Sequence, residues 1–437
     1  MNPQHDPSSR DLARWYPLKE HAVQRSMVED NVRFKVVPAG RRSGKTERVK
    51  RKMAQVAMRH VGQYFIAAPT RDQVKRIYWS DMKRLSFSSI FPIKPSESEL
   101  IIRYPNGSNI SLIGLDQPQR MEGTFWTGGA IDEIADVKAG AWEENISPAL
   151  DTYNPERPDF RAWCILLGVP DGMNHYYDMA EYARTSGDPD WKLYTWPSSD
   201  ILPPDLIDAA RRRMSLRQFR QEYEASFETS TGRIYEDYGK ANLTTERIER
   251  HEQLCWMHDF NYTPLSSAIG VIRGGKIFLL EEIVLTSAVA QQSAQEFVDR
   301  YATHDNKSVI IYGDPSGRAG EKHGHESDYT NIERVLRDNG WNFHRKVQPS
   351  TRSIKDGQNA VRAKICNAVG DVSLFVNPNT APYVHKSLAT GTLKKGSTFL
   401  EEDGEYQHIG TAVRYFVDTE FPLEENFAQP IRLKGGL

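Results

Sequence analysis

FKVVPAGRRSGKT, residues 34–46, decides how this chain reads. Phe34–Pro38 is short, apolar and β-prone. Ala39–Thr46 (AGRRSGKT) follows at once, and a basic helical stretch begins near Glu47. A strand, a glycine-bearing loop and a helix in that order are the setting of the phosphate-loop pattern G-x-x-x-x-G-K-[ST]. Ala39 stands where the first glycine is expected, with Gly40 beside it, and the rest of the pattern is complete. Such a loop turns backbone N–H groups toward phosphate oxygens and ends on a helix N-terminus. Gly40, Arg41, Arg42, Ser43 and Gly44 would form the cradle. Lys45 would meet the terminal phosphates, and Thr46 would bring a hydroxyl to Mg²⁺. The bland alternative is an accidental basic turn, and the strand-to-helix setting argues against it.

Reading outward, apolar segments alternate with polar helical ones. Candidate strands are Phe34–Pro38, Tyr64–Ala68, Ile110–Ile113, Gly129–Ile131 and Ala162–Val169, an alternation that predicts a parallel α/β sheet. A phosphate loop needs an acid at the end of another strand. GGAIDE, residues 128–133, supplies one about 85 residues after the loop. Asp132 would hold the Mg²⁺ water shell and Glu133 would activate the attacking water; otherwise the pair caps a helix over Ile134–Glu144. Arg120, in PQRMEGTFW, precedes this strand and is a candidate for the extra arginine that phosphoryl transfer exploits, or a surface arginine. LLGVPDG, residues 166–172, leaves a strand through a turn that would sense the nucleotide, or is an ordinary strand-exit turn. Gln24 and Tyr16 lie upstream, where adenine contacts arise, or on a helix surface. Residues 1–30 read as a polar lead-in and a short helix. Residues 203–227 read as a charged helical stretch marked by Leu206, Met214, Phe219 and Tyr223.

The polar, turn-rich stretch Glu228–Arg250 reads as a linker, dividing the chain into 1–228 (with a helical lid over about 172–228), a linker at 229–250, and 251–437. In the last block, strands Cys255–Phe260, Ser266–Ile272 and Lys276–Val284 are predicted, with Gly274–Gly275 as a hairpin turn. A helix Ala288–Thr303 and a strand Ser308–Tyr312 follow. This is the opening order of an RNase H-like fold. Asp259 (in MHDFNYTP) and Asp314 (in VIIYGDPSG) end two of these strands. Converging carboxylates there would bind paired Mg²⁺ or Mn²⁺ ions that clamp a phosphodiester. Taken singly, each Asp merely starts a turn. For a third ligand the candidates are Asp403 and His408 in DGEYQHIGTAVRYF (403–416), or Glu281 and Glu282. His408 reads more simply as a core or capping histidine, and Asp418 as an exposed helix charge.

Length and composition set outer limits. At 437 residues the chain exceeds what one core supports, so two domains are expected. Hydrophobic residues are 39% and charged residues 26%, which excludes wholesale disorder. No apolar run spans a membrane, and MNPQHDPSSRDLARWYP lacks the apolar core of a signal peptide. Cys164, Cys255 and Cys366 are scattered and read as reduced thiols of a cytosolic protein. A net charge of −2 confines any polyanion contact to patches. Candidate patches are Arg48/Lys50/Arg51/Lys52, Arg211–Arg213 with Arg217 and Arg220, and Arg345/Lys346/Arg352/Lys355, each equally readable as a solvated face.

Together, AGRRSGKT, the IDE strand, the preceding Arg-x-x-Gly, LLGVPDG and a second half opening with HDF resemble the large terminase subunit of tailed bacteriophages. The likeness runs from about Tyr16 to about Phe416. HIGTAVRY (408–415) is similar to that family's H-x-x-D-A-x-R-Y helix, except that Thr411 stands where the third metal-binding Asp is usual. Asp403, eight residues upstream, would substitute, or the site uses fewer carboxylates. The resemblance implies a P-loop (RecA/ASCE-like) ATPase domain and an RNase H-like nuclease domain. It implies ATP and Mg²⁺ as cofactors, with Mn²⁺ able to replace Mg²⁺ for cutting. It further implies ATP-driven packaging of double-stranded viral DNA into a procapsid and endonucleolytic cutting of concatemers. Arg120 matches the family's arginine finger, acting in a homo-oligomeric ring. Partners implied are a portal protein ring and a small terminase subunit, with no membrane, in the host cytoplasm. The competing readings are a helicase- or recombination-type ATPase with a resolvase-like nuclease, and a packaging scaffold with an inactive nuclease half.

Overall fold

The structure is a computed structural model. It describes residues 13–87, 93–151, 160–229, 232–260, 264–286, 288–318, 327–350, 352–395 and 397–423. The polar lead-in before residue 13 and the C-terminal end of the 251–437 block lie outside the described residues. The chain forms two compact units: Met1–Asp208 with Phe219–Thr229, and Ala209–Gln218 with Ser230–Leu437.

The first unit is built on strands β1 (Phe34–Pro38), β2 (Gln63–Ala68), β3 (Lys94–Ser96), β4 (Ile101–Arg103), β5 (Asn109–Gly114), β6 (Gly128–Asp132), β7 (Trp163–Gly168) and β8 (Trp191–Leu193). They form one eight-stranded sheet in the order β3-β4-β5-β2-β6-β7-β1-β8. Only the β3-β4-β5 edge is antiparallel; the remaining pairs run parallel. All five residues of β1 are buried, as a parallel strand covered on both faces requires. Alternation divides them. Phe34 and Val36 face a core with Phe65, Ile131 and Tyr176. Val37 faces another, with Val49, Met53, Tyr64 and Ile66. The helix Lys45–Arg59 supplies Val49, Met53, Ala54 and Ala57 to the second core. Because β7 lies between β1 and β6, three C-terminal strand ends share one edge. Pro38 is registered with Gly168, and Leu167 with Asp132.

Lys35 shares the helix-covered face and is only 3% exposed. Its Nζ donates to Met27 O (2.7 Å) and Asp30 O (2.5 Å). Burial, reinforced by Lys52, pulls its pKa down to about 8. The unfolded lysine titrates near ~10.4, so between these values the unfolded chain holds the extra proton and stability rises with pH. Below about pH 8 the full penalty of a buried ammonium applies. Wild type should therefore gain thermal stability relative to Lys35→Met as pH rises from 8 to 10, and melting curves across that range check it.

Two expectations change in this unit. The helix expected over 134–144 is instead a 3₁₀ turn, Ile134–Asp136, followed by the π segment Trp142–Ile146. The lid region over 172–228 also departs from expectation. The helix His175–Thr185 brings Tyr176, Met179 and Ala180 into the core, and β8 joins the main sheet beside β1. The apolar residues Trp191 and Leu193 of β8 pack against that core and tie the segment down. The charged stretch after it forms two helices, Pro204–Arg213 and Leu216–Tyr223.

The second unit holds β9 (Leu254–Asp259), β10 (Leu265–Arg273), β11 (Lys276–Leu285), β12 (Ser308–Gly313), β13 (Asn342–Arg345) and β14 (Leu374–Val376), in the order β13-β12-β9-β10-β11-β14. The first three strands are antiparallel, and a two-residue turn at Gly274 and Gly275, both at positive φ as that turn demands, joins β10 to β11. β12 returns parallel to β9 after the helix Ala290–Arg300. The stretch read as a linker is largely built into this unit. Ile234, Tyr235 and Tyr238 are buried in its core, and Leu243 bridges to Val376. Three large apolar side chains within its first ten residues outweigh the polar composition that suggested an open connection.

Candidate functional site

The loop Ala39–Thr46 is held from several sides. Ala39 N–H donates to Gly168 O and Gly40 N–H to Trp196 O. Arg41 N–H donates to Glu222 O at 2.6 Å, and the Arg41 guanidinium pairs with the Glu222 carboxylate. A Cβ on Gly40 would lie 2.3 Å from Ser198 Oγ and 2.8 Å from Tyr223 O. Position 40 is thus the one that must be glycine, whereas Ala39 is accommodated within the core. Arg42 and Gly44 both adopt positive φ, 58° and 85°. Left-handed residues in such a loop turn successive N–H groups into an anion-binding concavity. Gly44 then caps the helix Lys45–Arg59.

Gln24 lies under this loop, 2% exposed. Its Nε2 donates to Ser43 O (2.7 Å), its Oε1 accepts from Arg48 Nε (2.9 Å), and Trp196 Nε1 donates to the same Ser43 carbonyl (3.0 Å). Gln24 therefore supports the loop. Tyr16 packs under the guanidinium of Arg51, 4.7 Å away. Ser43 Oγ, fully buried, has no hydrogen-bond partner among the described residues. A buried orphan hydroxyl in a concave loop at a helix start, beside Lys45, fits a phosphate group.

Asp132 closes the site. It is 1% exposed at the end of β6. Its Oδ2 accepts from Thr46 Oγ1 (3.0 Å) and Tyr78 OH (2.6 Å), and its Oδ1 from Glu133 N–H (3.0 Å). Burial and the negative charge of Glu133 push the Asp132 carboxyl up, while Lys45, Tyr78 and Thr46 oppose that shift. Thr46 and Asp132 joined at the helix start are a donor set that fits Mg²⁺ with a bound nucleotide. Glu133 sits at φ 53°, ψ 46°, a left-handed conformation rare for a side-chain-bearing residue. Such strain gathers at functional positions. Arg120 lies on the 3₁₀ turn Pro118–Met121, exposed, with its guanidinium 3.6 Å from Asp116. Beyond β7, Asp171 accepts from Gln221 Nε2 at 3.1 Å, on the same helix as Glu222. No spacing or motif in the sequence signalled Tyr78, Trp196 or Glu222.

In the second unit, β9 and β12 bring two acids to one place. Gly313 is registered with His258, so Asp314 and Asp259 follow at neighbouring strand ends. Cys255 and Met257 on β9, and Ile310 and Tyr312 on β12, pack in the core that the helix Gln407–Glu420 covers. Alternation gives Asp259 and Asp314 that same face. Tyr415, on the helix, reports both: burial first, then the negative fields of Asp314 and Asp259, push its hydroxyl up to about 12. Gly313 permits the close approach, since a Cβ there would lie 2.4 Å from His258 O.

The third position differs from expectation. Asp403 is 84% exposed and pairs with Lys394 at 3.2 Å. The group on Asp259 is His408, whose Nδ1 lies 3.1 Å from Asp259 Oδ2. That hydrogen bond, and the charges of Asp403 and Glu401 beyond it, raise the His408 imidazole against burial. The first turn of a helix packed on β9 brings His408 there, whereas Asp403 stays on the loop ahead of that helix. Glu281 and Glu282 serve structure: Glu281 accepts from Tyr301 OH, and Glu282 caps the backbone N–H groups of Tyr383 and Val384. Asp418 is buried beside Arg352 at 3.3 Å. Among the described residues no three or more His, Cys, Asp or Glu side chains are grouped as a metal site. The donors fit an ion held by Asp259 and Asp314 with His408 beside them. They do not supply the third carboxylate of a paired-ion clamp.

The basic clusters also sort differently. Lys50 pairs with Asp81 (2.8 Å), Arg51 with Glu47 (3.0 Å), and Arg48 with Gln24. Arg345, Lys346 and Arg352 pair with Glu333, Glu420 and Asp418, and Arg217 with Glu236. Charges spent on internal acids do not offer a track for a polyanion. Arg211, Arg212 and Arg220 are solvent-exposed. Among the described residues no helix is long and apolar enough to cross a membrane, and the three cysteines are free thiols.

No family model matches the chain. The large terminase subunit of Thermus phage G20c is 23% identical over 251 residues, 50% of this chain and 50% of that protein. The large terminase subunit of Escherichia phage T5 is 30% identical over 141 residues, 31% of each. The match thus spans at most about half the length of these relatives. Among solved structures, the large terminase of the thermophilic bacteriophage D6E aligns with a TM-score of 0.60 at 15% identity, over 95% of this chain and 98% of that one. The same protein has been solved with ADP and with ATP-gamma-S. At that identity the likeness speaks for the fold. In sequence the chain is similar to large terminase subunits of phages over up to half its length, and it shares the fold of the D6E large terminase, a P-loop ATPase-type unit followed by an RNase H-like unit.

Proposed function

We propose that this protein is an ATP-driven motor that moves double-stranded viral DNA into a procapsid, with a nuclease half that cuts concatemeric DNA. One observation carries the reading. A single chain joins a phosphate loop whose Thr46 is bonded to a buried strand-end Asp132 to a second sheet with Asp259 and Asp314 at adjacent strand ends. The fold shared with the D6E large terminase, solved with ADP and with ATP-gamma-S, supports ATP as the nucleotide.

In the motor half, the N–H groups of the loop and Ser43 Oγ bind phosphate oxygens. Lys45 neutralises charge at the terminal phosphates. Thr46 and Asp132 would hold Mg²⁺, which supplies charge neutralisation at the phosphates. Glu133 orients the attacking water and takes its proton. Arg120 is the arginine that acts on a nucleotide of a neighbouring copy in a homo-oligomeric ring; its exposure on a 3₁₀ turn supports that role. In the cutting half, Asp259 and Asp314, with His408 beside them, would hold Mg²⁺ or Mn²⁺, which activates water and stabilises the leaving oxygen. A portal protein ring, a small terminase subunit and the procapsid are the partners, in the host cytoplasm.

The test is DNA uptake. The purified chain, procapsids and linear duplex DNA with ATP should yield nuclease-protected DNA, and Lys45→Ala should yield none. Duplex unwinding without procapsid-dependent protection would favour the helicase-type reading. Thr411, in place of an acid, favours the reading of an inactive nuclease half. Uptake without any divalent-ion-dependent cutting would establish that second reading.

A further inference from the structure

We propose that Tyr78 is a positioning residue of the nucleotide site, setting the carboxylate of Asp132 for the divalent ion. The proposal rests on the reading of the loop as a Mg²⁺-nucleotide site and adds a residue that no motif marks. Tyr78 belongs to a helix that starts at Arg71 under a Thr70–Gln73 capping box, widens into a π segment at Lys75–Trp79, and resumes over Ser80–Leu85. A π turn holds one residue more than an α turn, so it rotates its side chains away from the register of the flanking helix. Such turns recur at functional sites. Here the segment carries Tyr78 and Trp79 into the core.

Tyr78 is fully buried, and its hydroxyl donates to Asp132 Oδ2 at 2.6 Å, the shortest of the three bonds to that carboxylate. Lys50 lies over its ring at 5.2 Å. Three residues on, Asp81 holds Lys50 (2.8 Å) and Arg14 (2.9 Å), so the element grips the helix that carries Lys45 and Thr46. A buried phenol needs only one acceptor, and any backbone carbonyl would serve. This one meets the acid of the ion site.

The two hydroxyls on Oδ2 have different jobs. Thr46 would offer an oxygen lone pair to the ion, and its hydroxyl proton is free to stay on Asp132. Tyr78, whose phenol reaches no ion, keeps its proton on Oδ2 and holds the carboxylate at a fixed rotation. Groups that orient a metal ligand from behind are worth about 10–100-fold in metal affinity.

The experiment is ADP binding by calorimetry to the full chain, with and without Mg²⁺, for wild type, Tyr78→Phe and Lys45→Ala, alongside melting curves. Tyr78→Phe keeps the buried ring and removes only the donor. We expect it to melt close to wild type, to bind metal-free ADP within about twofold, and to lose about tenfold or more of the affinity that Mg²⁺ adds. Excess Mg²⁺ should recover part of that loss. A purely structural tyrosine would weaken ADP binding equally with and without Mg²⁺, or lower melting alone; either result overturns the proposal. Tyr78→Phe matching wild type while Lys45→Ala fails to bind overturns it too, and leaves the nucleotide site standing. Wild type with no Mg²⁺-dependent binding removes both.

Discussion

Glu133→Gln is expected to lower steady-state ATP turnover by about 10²–10⁴-fold while leaving ATP affinity within about threefold, because a positioned general base contributes on that scale and binds no phosphate itself. The geometry explains the separation. Binding lies with the loop, where Ser43, Lys45 and Thr46 gather at a helix start. Glu133 stands one residue past Asp132, lifted out of the strand by its left-handed backbone. Its N–H is committed to Asp132 Oδ1, so the turn that aims its side chain is pinned to the ion-site acid. Gln keeps the length and the backbone demand and removes the proton acceptor. Phosphate release paired with equilibrium ATP binding is the measurement. Binding lost as completely as in Lys45→Ala would place Glu133 in the binding site and remove its role as base.

The second large effect concerns cutting. Asp259→Asn and Asp314→Asn should each lower Mn²⁺-dependent plasmid cleavage by at least about a hundredfold, with ATP turnover unchanged. Among the described residues these two carboxylates are the strand-end acids that the register of β9 and β12 brings together, and no group of three or more His, Cys, Asp or Glu offers a substitute. Asp403→Asn should cut like wild type, because that side chain is 84% exposed on Lys394. A gel-based nicking assay across the three variants decides it. Undiminished cutting by Asp259→Asn would reject the site, and a loss confined to Asp403→Asn would return the third ligand to the loop.

Much of both sites was legible because it is local. The phosphate loop is one contiguous stretch with its own strand and helix, and the observed bounds of β1 are those its apolar run predicts. The Gly274–Gly275 turn is two residues of unmistakable chemistry. Asp259 and Asp314 could be paired because strand order and period-2 alternation carry over from sequence to sheet. Gln24 was legible as a residue near the nucleotide loop, yet its job there is to hold the Ser43 carbonyl. The basic runs misled for a related reason. Lys50, Arg51 and Lys346 are as charged as a DNA track requires, but each faces an acid distant in sequence or one helical turn away.

From residue types and spacing alone came the two-part architecture, the loop that takes phosphate, and the acids that end the strands, since each depends on neighbours within one element or on a repeating period. Only the folded chain decided that His408 rather than Asp403 meets Asp259, that Ile234, Tyr235 and Tyr238 belong to the second core, and that Tyr78 backs Asp132. Those outcomes depend on helices docked from 54 to 149 positions away, and the rotation of a docked helix follows from how its apolar face fits the sheet, a quantity no local pattern encodes.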